Sequence, residues 1–144
     1  MATLGLVTVL YNSDGVLEEF FSSLSIQTYT DYHLYLIDNS PSPATDEMVK
    51  RFAEKYKIPA HTHFKNDGNY VVAKGNNQGI KLALEAGADF VILLNNDIEF
   101  FQPELIEEMV NCAVKQGENL IIPKIMFHGT RVIQTAGGVF ANYK

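Results

Sequence analysis

The composition and charge of the chain already exclude several classes of protein. Its 144 residues carry a net charge of −6, and 47% of them are hydrophobic, which is the balance of one globular domain. The negative charge argues against general nucleic-acid binding, so an anionic ligand would need amides, a helix end or a metal ion at its site. The single cysteine, Cys112, cannot form an internal disulfide and fits a reducing compartment. No apolar run is long enough to span a membrane, so we expect a cytoplasmic protein, with a place at the inner face of the membrane left open.

The first half of the chain alternates between strand and helix patterns. A β-rich run over 4–10 (LGLVTVL) ends in a turn cluster, and an apolar stripe over 16–24 then predicts a helix. A second strand is predicted over 32–37 (YHLYLI), and Ser42-Pro43 opens a helix that reaches Tyr56. The segment 58–64 predicts a weaker third strand.

The second half continues the same alternation. A segment rich in glycine and asparagine over 74–79 (KGNNQG) predicts a loop that leads into a helix ending at Gly87. The apolar run over 90–94 (FVILL) predicts a strand buried on both faces, followed by a helix over 103–117 and a fifth strand over 120–126. Strands alternating with helices require right-handed crossovers. The predicted fold class is therefore α/β, a three-layer, doubly wound, mostly parallel sheet in one domain.

Polar residues follow each of the first four predicted strands. These strand ends are Tyr11-Asn12, Asp38-Asn39, Asn66-Asp67 and Asn95-Asn96-Asp97. In a parallel sheet all four ends reach one edge, which is where ligands bind. Turn chemistry alone also favours Asn and Asp at such places, so a common ligand site and ordinary turns both stay open.

Asp97 is the carboxylate that ends the most hydrophobic strand. A charge at the rim of a core needs compensation. Asp97 either caps a turn ahead of the helix that Pro103 opens, or holds a divalent cation that in turn holds a phosphate. The cation would be Mg²⁺ or Mn²⁺, because both favour oxygen ligands.

Three further groups are candidates for ligand contacts. Asp38 could accept an N–H group of uracil, thymine or guanine, while Tyr11 could stack on the base. The backbone of the 74–79 segment could approach an anion, with Lys74 neutralising a phosphate, although a flexible loop and a solvated lysine explain the pattern too. His61 and His63 share one face of a predicted strand, which would suit a metal, but no third ligand accompanies them.

Taken in order, these motifs resemble the family 2 glycosyltransferases, and most of all the rhamnosyltransferase-like branch. The resemblance covers essentially the whole chain. The motifs that carry it are Val9-Leu10-Tyr11-Asn12-Ser13, Ile37-Asp38-Asn39-Ser40, Asn66-Asp67-Gly68 with Gly75-Asn76-Asn77-Gln78-Gly79, Leu93-Leu94-Asn95-Asn96-Asp97, and Gln134-Thr135-Ala136-Gly137-Gly138-Val139-Phe140.

The resemblance implies a GT-A fold whose amino-terminal half binds a dTDP-, UDP- or GDP-linked sugar and a divalent cation, Mg²⁺ or Mn²⁺. Tyr11, Asn12 and Asp38 would line the base and ribose. The segment 95–97 would take the place of the D-x-D metal motif, with Asp97 as its only charged ligand because Asn95 replaces the first acid. The residues expected at the nucleotide are Val9, Tyr11, Asn12, Asp38, Asn39, Asn66, Gly68, Lys74, Gly75, Asn76, Asn95 and Asn96.

The resemblance also implies an activity, namely inverting transfer of the sugar to the hydroxyl of a saccharide or lipid-linked acceptor in cell-surface polysaccharide or glycoconjugate synthesis. The general base would lie beyond Lys144, so we expect a truncated donor-binding part that is inactive alone. The face left open for the missing half could pair with a second copy, so a homodimer stays open. The alternatives are a non-catalytic nucleotide-binding module and a sugar-nucleotide pyrophosphorylase-like domain, which would carry a glycine-rich, basic loop where Tyr11-Asn12-Ser13-Asp14 stand.

Overall fold

The computed structural model describes residues 2–136. Helices and strands alternate along this part of the chain, as the hydrophobic pattern predicted. The elements are β1 (Leu4–Leu10), α1 (Leu17–Ser25), β2 (Tyr32–Asp38), α2 (Ala44–Lys55), β3 (His61–Lys65), α3 (Val71–Glu85), β4 (Phe90–Leu94), α4 (Leu105–Gln116), β5 (Ile125–Met126) and β6 (Ile133–Thr135).

The first four strands form a parallel sheet in the order β3-β2-β1-β4. The chain builds outward from β1 to β3, and α3 then carries it back to the other side of β1. The strand order therefore reverses between β1 and β4. In a doubly wound sheet, this reversal opens a crevice at the carboxyl ends of the two strands.

Helices cover both faces of the sheet, which confirms the predicted three-layer α/β fold. One core joins α1, α2 and α4 to the sheet, and its helical members include the buried Phe20, Phe52 and Ile106. The second core is smaller and joins Ala83 of α3 to Val7 of β1. Burying an aliphatic or aromatic side chain of this size contributes about 2 kcal/mol of transfer free energy, so the larger core supplies most of the stability.

The prediction of a loop over 74–79 is wrong, because this segment lies inside α3. Gly75 and Gly79 are buried against β1, where a Cβ at Gly79 would stand 2.2 Å from Cγ1 of Val7, and one at Gly75 2.8 Å from Cγ2 of Val9. The glycines therefore allow the helix backbone to approach the strand closely. Their low helix propensity, about 1 kcal/mol below that of alanine, is what made the segment resemble a loop.

The prediction of a fifth strand over 120–126 is also wrong. Only Ile125–Met126 forms β5, which pairs with β6 in a separate antiparallel sheet. The apolar side chains that suggested a buried strand are exposed, with 71% exposure at Leu120 and 53% at Ile122. The third strand begins at His61 rather than at position 58, and the predicted motif at 137–140 lies outside the described residues.

Candidate functional site

An open pocket of about 390 Å³ lies at the carboxyl ends of β1 and β4, where the strand order reverses. Its wall combines the ends of β1, β2 and β4 with the start of α3. The lining residues are Val9, Tyr11, Asn39, Asn69, Val71, Val72, Asn76, Leu94, Asn95, Asn96 and Asp97. The wall is thus made of amides and apolar groups, with one carboxylate.

The pocket brings together part of the predicted site. Among the expected residues, those that line it are Val9, Tyr11, Asn39, Asn76, Asn95, Asn96 and Asp97. Those that do not line it are Asn12, Asp38, Asn66, Gly68, Lys74 and Gly75. Because the first group comes from three strand ends and one helix, the fold makes a single site from residues far apart in the sequence.

Asp97 is exposed on the pocket wall and makes no ion pair within residues 2–136. Its neighbour Asn96 is fixed, since the amide Nδ2 of Asn96 donates to Oγ of Ser13. The same Ser13 hydroxyl accepts a hydrogen bond of 3.1 Å from the backbone N–H of Tyr11. The loops after β1 and β4 are therefore bonded to each other, and Asp97 projects from a braced segment.

The donor set around Asp97 fits a hard divalent cation. Across the described residues, no group of three or more His, Cys, Asp or Glu side chains could hold a metal ion. Mg²⁺ is usually bound by one or two carboxylates together with substrate phosphates, not by a complete protein cage. A lone carboxylate beside the amide oxygens of Asn95 and Asn96 offers oxygen ligands of this kind.

Asp38 lies at the end of β2 but is fully buried, with 0% exposure. Its Oδ1 accepts from the backbone N–H of Ser40 at 2.7 Å, while Oδ2 lies 2.9 Å from Nζ of Lys65 and 3.1 Å from Nε2 of His63. Burial acts to raise the pKa of Asp38, but these hydrogen bonds outweigh it and hold the pKa at about 2. Both oxygens are therefore engaged by the protein, and direct contact with a base, as predicted, would have to displace one of these partners.

Three buried or half-buried amides connect the ends of β2 and β3 to α3. Asn66 donates through Nδ2 to Oδ1 of Asn39 at 2.8 Å, and it exchanges two hydrogen bonds of 3.0 Å with Gln78. Asn39 is only 2% exposed, yet it reaches the pocket wall. Asn66 thus orients Asn39, and Gln78 is a supporting residue that the sequence analysis missed.

The start of α3 supplies an apolar part of the wall that the sequence analysis also missed. Val71 has a φ of 57°, which costs a β-branched residue about 1–3 kcal/mol, and it is 63% exposed. Its N–H donates to Oδ1 of Asn69 at 2.9 Å, and its carbonyl accepts from Nδ2 of Asn39 at 3.4 Å. The only sequence signal was the apolar pair Val71-Val72 within a polar segment, and a strained φ cannot be read from it.

Three of the remaining predicted residues lie outside the pocket wall. Asn12 has a φ of 50°, and its N–H donates to Oγ of Ser40 at 3.1 Å, which joins the loops after β1 and β2. Lys74 is exposed, with Nζ 3.4 Å from the ring centroid of Tyr70, so it does not project into the pocket. Gly68 lies in the exposed turn before α3, outside the pocket wall.

The two histidines of β3 do not form the metal site that was considered for them. His63 lies between two carboxylates, with Nδ1 2.9 Å from Oδ1 of Asp46 and Nε2 3.1 Å from Oδ2 of Asp38. His61 is exposed at the start of the strand. Across residues 2–136, no helix is both long and apolar enough to cross a membrane.

Comparison with known proteins points to one family. The model of the family "Glycosyl transferase family 2" matches residues 6–136, whereas no curated protein sequence matches this chain. Two of the solved structures that share the fold are complexes with a nucleotide. The mannosyltransferase PcManGT from Pyrobaculum calidifontis, in complex with GDP-Man and Mn²⁺, has a TM-score of 0.69 and 18% identity over 78% of this chain and 32% of its own. S. aureus TarS 1-349 in complex with UDP has a TM-score of 0.68 and 17% identity over 90% of this chain and 38% of its own.

At these identities the two structures establish the fold, which is the GT-A arrangement of a Rossmann-like sheet. This chain spans less than two-fifths of the length of either one. The family match is independent of them and covers nearly all of the described residues. The chain belongs to glycosyl transferase family 2.

Proposed function

We propose that the pocket binds a nucleoside-diphosphate sugar together with a divalent cation, and that this chain is the donor-binding part of a rhamnosyltransferase-like enzyme. The observation that carries the proposal is the convergence of Tyr11, Asn39 and the 95–97 segment on one pocket at the reversal of strand order. Relatives of the same fold in complex with GDP-Man and Mn²⁺ or with UDP support it.

The chemistry of the wall suggests how such a donor would lie. Tyr11 is 50% exposed and offers its ring to a base, and Val71 and Val72 add an apolar surface nearby. Asn69 and Asn76 offer amide groups to the polar edge of the base and to the ribose hydroxyls, while Asn39, whose amide is bonded to Asn66 and Val71, holds the wall in shape. The base would be uracil, thymine or guanine.

The diphosphate poses the main electrostatic problem. The described wall holds one carboxylate and no lysine or arginine, and the chain as a whole has a net charge of −6. An anion therefore needs a positive charge from outside the protein. Asp97, with the amides of Asn95 and Asn96, would hold Mg²⁺ or Mn²⁺, and the bound cation would stabilise the charge that develops on the departing nucleoside diphosphate.

The chain's own residues would bind and orient the donor, while an acceptor hydroxyl attacks the anomeric carbon from the opposite face with inversion. Such an attack needs a general base, which we assign to the acceptor-binding part of the enzyme and not to residues 1–144. The fragment alone would then be inactive. We place the reaction in the cytoplasm, at the inner face of the membrane, with a saccharide or lipid-linked acceptor in cell-surface polysaccharide synthesis and a homodimer as the assembly.

The test is thermal unfolding of the chain with UDP, dTDP, GDP or NAD, each with and without Mn²⁺. We expect one nucleoside diphosphate to raise the melting temperature by about 5 °C or more at 100 times its Kd, and only with Mn²⁺. Asp97→Asn should abolish the Mn²⁺-dependent part. Asp31→Asn is the matched control, because Asp31 is exposed just before β2, at the opposite edge of the sheet. Stabilisation by NAD alone, or an equal response from Asp97→Asn, would overturn the proposal.

A further inference from the structure

His63 is a nearly buried titratable side chain that the proposed chemistry does not use. Its ring is 10% exposed and lies between β2 and α2. Each ring nitrogen faces a different carboxylate, at 2.9 Å for Nδ1 and Asp46 and at 3.1 Å for Nε2 and Asp38. An arrangement with two acceptors on one imidazole restricts which protonation state the site can hold.

An ionised carboxylate can only accept hydrogen bonds, and a neutral imidazole has one N–H to donate. With a neutral ring, one of the two contacts would oppose a nitrogen lone pair to a carboxylate oxygen. Both contacts are hydrogen bonds only when the ring is an imidazolium. The geometry therefore selects the charged form of His63.

The other charged groups around the ring do not remove this requirement. Lys65 on β3 shares Asp38 at 2.9 Å, and Lys50 on α2 shares Asp46 at 2.6 Å, so both carboxylates stay ionised. His61, earlier on the same strand, is the remaining titratable neighbour, and burial together with the charge of His63 lowers its pKa. The hydrogen bond to Asp38 raises the pKa of His63, against the opposing effect of burial, and the bond to Asp46 adds to the increase.

The residue that His63 holds is the anchor of a pocket loop. Asp38 accepts the N–H of Ser40 at 2.7 Å, and the hydroxyl of Ser40 accepts the N–H of Asn12, next to Tyr11, at 3.1 Å. Asn39 stands between Asp38 and Ser40 and reaches the pocket wall. Asp38 thus holds the segment that contains Asn39 and that bonds to the neighbour of Tyr11, while Lys65 holds the same segment through the carbonyls of Ser40 and Ser42.

We propose that His63 is a positioning residue for the nucleotide site: its imidazolium, held between Asp38 and Asp46, fixes the 38–40 loop, whose Asn39 is part of the pocket wall. The inference rests on the proposed function, because it concerns affinity for the nucleotide. It also predicts that the affinity for the nucleotide decreases as pH rises. A group whose pKa is raised in the folded protein acts fully at low pH, and its contribution is lost as pH rises through the raised value.

The experiment measures the Kd of UDP, dTDP and GDP in the presence of Mn²⁺ by calorimetry between pH 6 and pH 9. For the nucleotide that binds, we expect Kd to rise about tenfold with increasing pH, the loss equivalent to one charge-assisted hydrogen bond. His63→Gln should bind more weakly at low pH and lose this dependence. His61→Gln, on the same strand and without contact to either carboxylate in the described residues, should keep the wild-type profile.

A second variant separates the charge of the ring from its shape. Asp46→Asn removes one carboxylate while leaving His63 in place, and it should move the midpoint of the profile to lower pH. Glu47→Gln makes the same charge change in the same turn of α2, so its midpoint should stay unchanged. Ionisation of the ligand affects all variants alike and cannot produce this difference.

Nuclear magnetic resonance titration of the ring of His63 gives a readout that does not need the ligand. We expect a midpoint above that of His61, and a decrease in Asp46→Asn. A ring that is neutral at pH 7, or a Kd profile equal in wild type and His63→Gln, would overturn the inference. If no nucleotide binds at any pH, both the proposed function and the positioning role are wrong. If the wild-type protein binds a nucleotide and His63 titrates above His61, but the Kd does not change with pH, only the positioning role is wrong.

Discussion

Asp38 and Asp97 end two strands of the same sheet, yet they occupy opposite environments. Asp38 is 0% exposed and bonded on both oxygens, whereas Asp97 is exposed on the pocket wall. The difference comes from the neighbouring strands. β3 places Lys65 in register with Asp38 and brings His63 beside it, while β4 is an edge strand whose only partner in the described sheet is β1.

A strand-end carboxylate can therefore have either of two roles. A carboxylate with local cations is satisfied by the fold and holds loops in place, as Asp38 holds Ser40. A carboxylate without them keeps its oxygens available, as Asp97 does. A difference in unfolding free energy between variants at the two positions tests this division directly.

Substitution of Asp38 should have the strongest effect on stability. Asp38→Ala leaves Lys65 and His63 without their shared partner and removes the acceptor for the N–H of Ser40. Breaking a fully buried charged pair by removing one partner costs about 3–5 kcal/mol, and because the side chain of Lys65 is 38% exposed we expect about 3 kcal/mol here. Denaturant unfolding at pH 7 measures the loss, and Asp31→Asn, just before the same strand, serves as the control, with a change within about 0.5 kcal/mol. An equally small loss of unfolding free energy in Asp38→Ala would mean that Asp38 does not stabilise the fold.

A somewhat smaller effect is expected from acid. Because the pKa of Asp38 is lowered from 3.8 to about 2, its contribution is fully present above pH 4 and is lost as pH falls through about 2. Between pH 5 and pH 2 the unfolding free energy should decrease by about 2 kcal/mol for this one group. This decrease appears as the difference between wild type and Asp38→Asn in urea unfolding between pH 5 and pH 2. Parallel curves for the two proteins would contradict the assignment.

A third prediction concerns β1, the strand between the two carboxylate regions. Gly79→Ala places a Cβ 2.2 Å from Cγ1 of Val7, a stiff β-branched side chain with 0% exposure. Overpacking of this kind costs about 1–3 kcal/mol, from which the better helix propensity of alanine recovers about 1 kcal/mol. Thermal unfolding measures the loss of stability, and the control variant is Gly15→Ala, where nothing lies within 4 Å of the added carbon. If Gly79→Ala is as stable as Gly15→Ala, α3 does not need this close approach.

The sequence predicted the sheet, its three layers and the edge that carries the pocket, because hydrophobic period and chain order determine these features. It could not predict which polar residues face a ligand. That depends on strand register, because Lys65 and His63, which bond to Asp38, come from a strand more than twenty residues later in the sequence.

Two errors have a single cause, namely that local composition was given more weight than tertiary packing. The glycines at 75 and 79 lower helix propensity, but contact with Val9 and Val7 requires them in the helix. The apolar segment at 120–126 resembles a buried strand, although it pairs with the main sheet nowhere in the described residues. Hydrophobic periodicity predicts whether a long element is a helix or a strand, but it does not predict close backbone approaches or strand pairings.

Substitution of Asp97, the other strand-end carboxylate, should have the weakest effect on stability. Asp97→Asn should leave the unfolding free energy of the ligand-free chain within about 0.5 kcal/mol of wild type, because the side chain is exposed and makes no ion pair within residues 2–136. Urea unfolding without nucleotide or Mn²⁺ measures it, with Asp31→Asn again as the reference. A loss of several kcal/mol would mean that Asp97 is satisfied by the fold, as Asp38 is. If Asp97→Asn leaves the unfolding free energy unchanged while Asp38→Ala lowers it strongly, then the carboxylate at the end of β2 stabilises the fold and the one at the end of β4 is available for a ligand.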